Sequence, residues 1–199
     1  MRLRCGFTTE FVGAICGVSK GQVGRIYSTW ICLLDQCFKS LIKWPSKAKI
    51  MKHMPLSFKL KYPNTRAIID CTEFFVTKPT NPTAQSCTWS CYKAHNTVKS
   101  LLAITPNGMF SFEFNLWTGN ISDRAVKTRS GFLDLVQKDH AIMADRGFLI
   151  SDCLLEKVAR LNMPPFTRAC SYGKGRHLRA SEIRESKQIA SLRIDIEEL

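Results

Sequence analysis

One carboxylate stands inside an apolar extended stretch: Asp70, in Arg66-Ala67-Ile68-Ile69-Asp70-Cys71-Thr72-Glu73-Phe74-Phe75-Val76. β-Branched and aromatic residues dominate the run and turn residues flank it, which predicts a β-strand. Side chains alternate along a strand, so Asp70 shares a face with Ile68, Thr72 and Phe74. A carboxylate in such company is costly unless a cation or hydrogen-bond donors meet it. Ala141-Ile142-Met143-Ala144-Asp145-Arg146-Gly147-Phe148 repeats the pattern: an apolar strand ends in an acid, and Gly147 lets the chain turn away. Two acids at strand positions, remote in sequence, point to one shared divalent-metal site.

The 199 residues suffice for one sizeable core or a core plus a small appendage. Lys and Arg number 29 against 16 Asp and Glu, a net charge of +13. That balance favours polyanionic partners, nucleic acid foremost. The nine cysteines form no C-x-x-C pair, which argues against a zinc ribbon or finger. An odd count without a secretion signal fits a reducing compartment, with most thiols as small core residues. No stretch approaches transmembrane length, so no membrane association is expected. The basic stretch Lys174-Gly175-Arg176-His177-Leu178-Arg179 reads as a solvated loop, a phosphate contact or a nuclear signal.

Residues 1–52 read as helical, with Phe11, Val12, Ile15, Val18, Val23, Ile26, Trp30, Leu33 and Leu34 at helix-like intervals. Gly17 breaks the pattern and Ser19 is placed to cap a second helix from Lys20, which fits a helix-turn-helix. In that reading Lys20, Gln22 and Arg25 face outward, towards DNA. Gly21 and Gly24 each cost the second helix roughly 1 kcal/mol relative to Ala, and an ordinary helical hairpin fits the same spacing. Residues 53–65 read as a linker, punctuated by Pro55 and Pro63, and residues 66–199 as the main α/β domain.

Within that domain, residues 97–104, a turn at Thr105-Pro106-Asn107-Gly108 and residues 109–117 predict an antiparallel meander with the Asp70 strand. Ser122 or Asp123 is placed to cap a helix running to Arg129, and a short helix covers 131–136. The Asp145 strand is followed by a helix presenting Cys153, Leu154, Val158 and Leu161. A last helix starts near Ser181 and buries Ile189, Leu192, Ile196 and Leu199, with Glu197 on the shoulder of that face. Glu73, opposite Asp70, reads as structural. His95 reads as hydrogen-bonded and structural or as a DNA contact. Trp89, Trp117 and Tyr92 offer base-stacking surfaces, with core packing the alternative for Trp117.

Strand-acid, meander, helix, strand-acid and late helix-acid is the order of a ribonuclease-H-like fold. Through Gly17-Val18-Ser19, Trp30-Ile31, Trp44-Pro45-Ser46, Ile68-Ile69-Asp70-Cys71-Thr72-Glu73, Tyr92-Lys93-Ala94-His95-Asn96-Thr97-Val98-Lys99, Gly119-Asn120-Ile121-Ser122-Asp123, Met143-Ala144-Asp145-Arg146-Gly147-Phe148 and Pro164-Pro165-Phe166, the chain resembles the Harbinger-type transposases of the DDE endonuclease superfamily and their domesticated relatives.

The resemblance implies that Asp70 and Asp145 are two members of a catalytic acid triad. It puts the third at Glu197, in Arg193-Ile194-Asp195-Ile196-Glu197-Glu198, where Asp195 and Glu198 replace the family's His and Arg. In relatives the last helix continues, so the domain reads as C-terminally truncated. The three acids would hold a pair of Mg²⁺ or Mn²⁺ ions, hard cations that favour carboxylate oxygens. The implied activity is metal-dependent DNA cleavage and strand transfer by a cut-and-paste transposon enzyme in the nucleus. Its partners would be transposon ends and target DNA, with an accessory DNA-binding protein and self-association as further expectations. The competing expectation is a catalytically silent, domesticated or decayed copy that only binds DNA.

Overall fold

The computed structural model describes residues 2–145, 151–166, 168–169 and 176–197; at Arg2, Lys127, 151–153, 168–169, 176–177 and 195–197 it describes the backbone only. The chain divides into two compact units, Met1–Ile42 and Lys43–Leu199.

The first unit is helical: α1 (Arg2–Cys5), α2 (Thr9–Cys16) and α3 (Lys20–Lys39). Thr8 caps α2, its hydroxyl accepting from the Phe11 N–H at 3.2 Å. Gly17 ends α2 in the left-handed conformation (φ 66°), where a side chain would be strained. Ser19 then opens α3 with a reciprocal capping box: its hydroxyl accepts from the Gln22 N–H, and the Gln22 side-chain oxygen accepts from the Ser19 N–H at 3.0 Å. A less visible glycine sets the closeness of the two helices. A Cβ on buried Gly13 would lie 2.7 Å from the Val18 carbonyl oxygen.

The first unit ends at Ile42, ten residues before the sequence pattern ends the helical segment. α4 (Lys47–His53) closes the stretch read as helical, and the linker expected over 53–65 holds a second packed helix, α5 (Leu56–Lys61). Ile50, Met54 and Phe58 are buried against Ile68, Ile104, Met143 and Ile189. The prolines that suggest a linker sit at helix boundaries: Pro55 precedes α5, where its missing N–H costs nothing.

The central sheet is built from β1 (Thr65–Phe75), then β2 (Trp89–Ser90) after the short helix α6 (Pro82–Thr88), β3 (His95–Ile104), β4 (Phe110–Glu113) and β5 (Trp117–Thr118). Helices α7 (Asp123–Arg129) and α8 (Phe132–Leu135) lead to β6 (Ala141–Met143), and α9 (Ser151–Glu156) leads to β7 (Arg160–Asn162). A two-stranded pair, β8 (Arg168–Ala169) with β9 (Arg176–His177), precedes the last helix, α10 (Ala180–Glu197).

β1 runs antiparallel to β3, and β3 antiparallel to β2, β4 and β5, while β1, β6 and β7 are mutually parallel. A mixed, curled sheet with a meander on one side of β1 and parallel strands on the other, flanked by helices, is the ribonuclease-H-like fold. The predicted meander is present, and Gly108 takes the expected positive φ (78°) at its turn.

Two expectations fail. The helix expected to carry Cys153, Leu154, Val158 and Leu161 stops at Glu156; Val158 turns the chain at φ 52°, and Leu161 lies in β7. Among the described side chains the thiols are not core residues either: Cys5, Cys16, Cys32, Cys37 and Cys91 are exposed, with Cys71 and Cys87 half-buried, while the side chains of Cys153 and Cys170 lie outside the described residues.

The alternation of β1 divides the core. Ala67 and Ile69 pack on one face with Leu101, Ala103, Val126, Phe132, Ile142 and Leu154. Ile68 packs on the other with Ile104, Met143 and Ile189 of α10. Among the described residues no helix is long and apolar enough to cross a membrane.

Candidate active site

The parallel pairing of β1 with β6 sets Ile68 beside Met143. Two residues further along each strand direction come Asp70 and Asp145, the latter just past the end of β6. Two residues is one side-chain period, so each acid continues the face of its apolar predecessor. That face is the one α10 covers. Ile189 lies on Ile68 and Met143. Four residues, one helical turn, carry α10 on to Arg193. The advance per turn, about 6 Å, matches that of two strand residues.

Arg193 is therefore level with the acids. It is buried, with 4% of its side chain exposed, against 29% for Asp70 and 56% for Asp145. One guanidinium nitrogen, Nη1, lies 3.2 Å from Asp145 Oδ1; the other, Nη2, lies 4.0 Å from Asp70 Oδ1. The two carboxylates thus share one counter-cation. Glu197, the expected third acid, is the last residue of α10, one helical turn beyond Arg193; its side chain lies outside the described residues, as does Arg146. Among the described residues no group of three His, Cys, Asp or Glu side chains is assembled for a metal.

The donor set nevertheless suits hard divalent ions. Carboxylate oxygens on two adjacent strands, one in the middle of β1 and one just past the end of β6, are the kind of donor hard divalent ions prefer. A buried guanidinium already lies beside both acids and offsets part of their charge.

On the opposite face of β1 a second ionic cluster serves structure. Lys99 Nζ lies 3.2 Å from Glu73 Oε1, 3.1 Å from Asp123 Oδ1 and 3.2 Å from the Ile121 carbonyl oxygen. The Thr97 hydroxyl donates to Glu73 Oε2 at 2.9 Å. Burial alone would raise the Glu73 carboxyl, but hydrogen bonds from Ser90, Thr97 and Lys99 prevail and hold it below its ordinary value. Burial alone would likewise depress the Lys99 ammonium, and Asp123 with Glu73 raises it instead. Ser122, not Asp123, caps α7, its hydroxyl accepting from the Ala125 N–H. Asp123 in the first turn is left for Lys99.

Gly119 belongs to the same layer. A Cβ there would lie 2.7 Å from the Thr97 carbonyl oxygen and nearer still to the Thr97 hydroxyl and the Thr88 carbonyl. The Trp44-Pro45 block is explained by Arg66, a buried charge whose Nη2 donates to the Pro45 carbonyl and whose guanidinium lies 4.8 Å from the Trp44 ring centre.

The aromatic residues divide by exposure. Trp117 stacks on Phe114, with Arg129 over its ring. Trp89 and Tyr92 are exposed. Trp89 lines a cavity of about 370 Å³ with Lys78, Pro82, Gln85, Ser86 and Asn96. His95 is exposed and meets Phe75 edge-on at 5.3 Å.

In the helical unit, Lys20, Gln22 and Arg25 all lie on the first two turns of α3, exposed. Lys20 pairs with Glu10 and holds that carboxyl down to about 2. Gln22 has given its side-chain oxygen to the cap. The structure thus brings Asp70 and Asp145 together and adds Arg193, which apolar periodicity passed over because it counts only apolar positions. Its signal was the i, i+4 spacing from Ile189.

A family model described as DDE superfamily endonuclease matches residues 69–199. No curated protein and no solved structure matches the chain.

Proposed function

The chain belongs to the DDE superfamily endonucleases, and from that premise we propose that it cleaves DNA with Asp70 and Asp145 as metal-holding acids and Glu197 as the third. The observation that carries this reading is the register: two acids from strands more than seventy residues apart come level on one sheet face, about one charge between them. Divalent cations bound there supply an activated water and a neutralised leaving oxygen for in-line displacement at a phosphodiester. Asp70, in the middle of β1 and half-buried, is the more rigidly held ligand. Asp145, at a strand end and more exposed, lies towards the substrate side. Glu197 would complete the set from α10.

Hydrolysis would leave a 3′-hydroxyl on one DNA strand, and its transfer to a second DNA would make the enzyme a cut-and-paste transposase, acting in the nucleus. The +13 charge supports a DNA substrate. The first turns of α3 would read the DNA through Arg25, Lys20 and Gln22, since residues at the start of a second helix reach base edges in this motif. Trp89 and Tyr92 offer exposed rings to unpaired bases.

A plasmid-nicking assay with Mn²⁺ or Mg²⁺ tests the reading. The chain, and a version extended beyond Leu199, should nick in a metal-dependent way, and Asp70→Ala and Asp145→Ala should abolish nicking with the fold intact. Undiminished nicking by Asp70→Ala protein would sink the assignment. DNA binding without nicking in either length would favour the binding-only alternative.

A further inference from the structure

We infer that Arg193 is a built-in counter-cation for the acid pair, holding Asp70 and Asp145 at the site before metal arrives and giving up that position when metal binds. The inference rests on the reading of the two aspartates as metal ligands, and it assigns a role to a residue outside the acid triad.

Three observations carry it. Arg193 is nearly fully buried, and an arginine is almost never buried unless its charge is paired or its donors are hydrogen-bonded. Its two terminal nitrogens reach different aspartates, 3.2 Å and 4.0 Å away, so one planar fork spans the pair. It is also carried by the helix that bears Glu197, one turn earlier, so any shift of that helix moves both. Two carboxylates drawn together without a cation repel each other. A guanidinium between them removes that cost and ties the chain just past β6 to the middle of β1. A divalent ion brought to the same oxygens must then compete with a charge already in place. Arg193 is thus a positioning residue: it keeps the site assembled when metal-free and lowers the affinity for the ion that replaces it.

Arg193→Gln, made in the full chain, separates charge from packing. Without Mn²⁺ it should melt well below the parent protein, and saturating Mn²⁺ should recover most of that loss. Its Mn²⁺ affinity, read by titration calorimetry or by the spin-resonance signal of free Mn²⁺, should tighten roughly tenfold, because one competing unit charge a few ångströms away is gone. Arg193→Lys keeps the charge and should bind Mn²⁺ within twofold of the parent. Unchanged or weaker Mn²⁺ binding by Arg193→Gln overturns the inference, as does a stability loss that Mn²⁺ leaves untouched.

Should Arg193→Gln not fold, Mg²⁺ titration of the parent protein decides. The Arg193 Nε–H resonance, identified by its absence from Arg193→Lys, should move and saturate with Mg²⁺ binding; a stationary resonance overturns the inference. Asp70→Asn and Asp145→Asn run alongside. If they bind Mn²⁺ as the parent does, the metal-site reading itself fails. If they lose Mn²⁺ while Arg193→Gln is unchanged, only the role of Arg193 fails.

Discussion

Replacing Lys99 by Met tests whether the cluster behind the acid pair holds the sheet together. Met retains most of the stem and removes the ammonium, so packing changes little. Three contacts are lost at once, to Glu73, Asp123 and the Ile121 carbonyl, all between 3.1 and 3.2 Å. Asp123 is 40% exposed and can turn to water. Glu73, 9% exposed, cannot, and keeps only its hydroxyl donors. Removing one partner of a buried pair costs about 3–5 kcal/mol. For a domain of this size that lowers the melting temperature by roughly 10 °C. Urea unfolding followed by tryptophan fluorescence in a Trp30→Phe background reads the second unit alone, because the remaining tryptophans lie there. Glu73→Gln together with Lys99→Met should be less damaging than the sum of the two, by 1 kcal/mol or more. A Lys99→Met protein within about 1 kcal/mol of the parent, or strict additivity, would refute the assignment of Lys99 as the clamp between β1, β3 and α7.

Three more outcomes follow from the geometry. His140 is buried, and burial, with Arg66 and Lys47 nearby, pulls its pKa down; its Nδ1 accepts from the Gln137 N–H at 3.1 Å. The folded chain therefore resists protonation, so this stability is present above an unfolded value of about 6.5 and is lost as pH falls through the lower folded value. His140→Asn should flatten the stability-against-pH curve in that window, while the fall below about pH 4.5 from Glu73, whose pKa is also lowered, remains. Gly119→Ala forces a methyl group onto Thr97 and Thr88 backbone and should cost more than about 2 kcal/mol or yield no folded protein, measured as soluble yield and melting temperature. Arg25→Ala should weaken binding of DNA fragments and reduce the slope of log K against log salt by about one, read by fluorescence anisotropy, with the second unit's stability unchanged.

The strong periodic signals in the sequence correspond to structure: the β1 alternation, the Thr105–Gly108 turn, the Ser19 and Ser122 caps and the start of α10 near Ser181. Each depends on local backbone chemistry or on a face pattern several residues long. Three features depend on tertiary contacts and left weaker traces. β7 is three residues, too short for alternation to separate it from the helix before it, and Val158 turns at a positive φ that a β-branched residue would not suggest. The segment 53–65 has linker-like prolines, but Ile50, Met54 and Phe58 bury it, and that stripe crosses two helices. Arg193 is a charged residue in a buried stripe, and the two acids it faces lie far back in the sequence, in β1 and just past β6. The proximity of Asp70 and Asp145 itself was inferred from their similar settings; its physical cause is the parallel register of β1 and β6, which no local pattern encodes.

Affinity cleavage by iron puts the proposed shared metal site to its most direct trial. Fe²⁺ loaded in place of Mg²⁺, with ascorbate and peroxide, generates hydroxyl radicals that cut backbone within a few ångströms of the ion. The protein should be cut near residue 70 and near residue 145, both cuts competed away together by Mn²⁺ and both lost in Asp70→Asn. Cutting at only one of the two strands, or cuts that respond differently to Mn²⁺, would contradict a common metal centre.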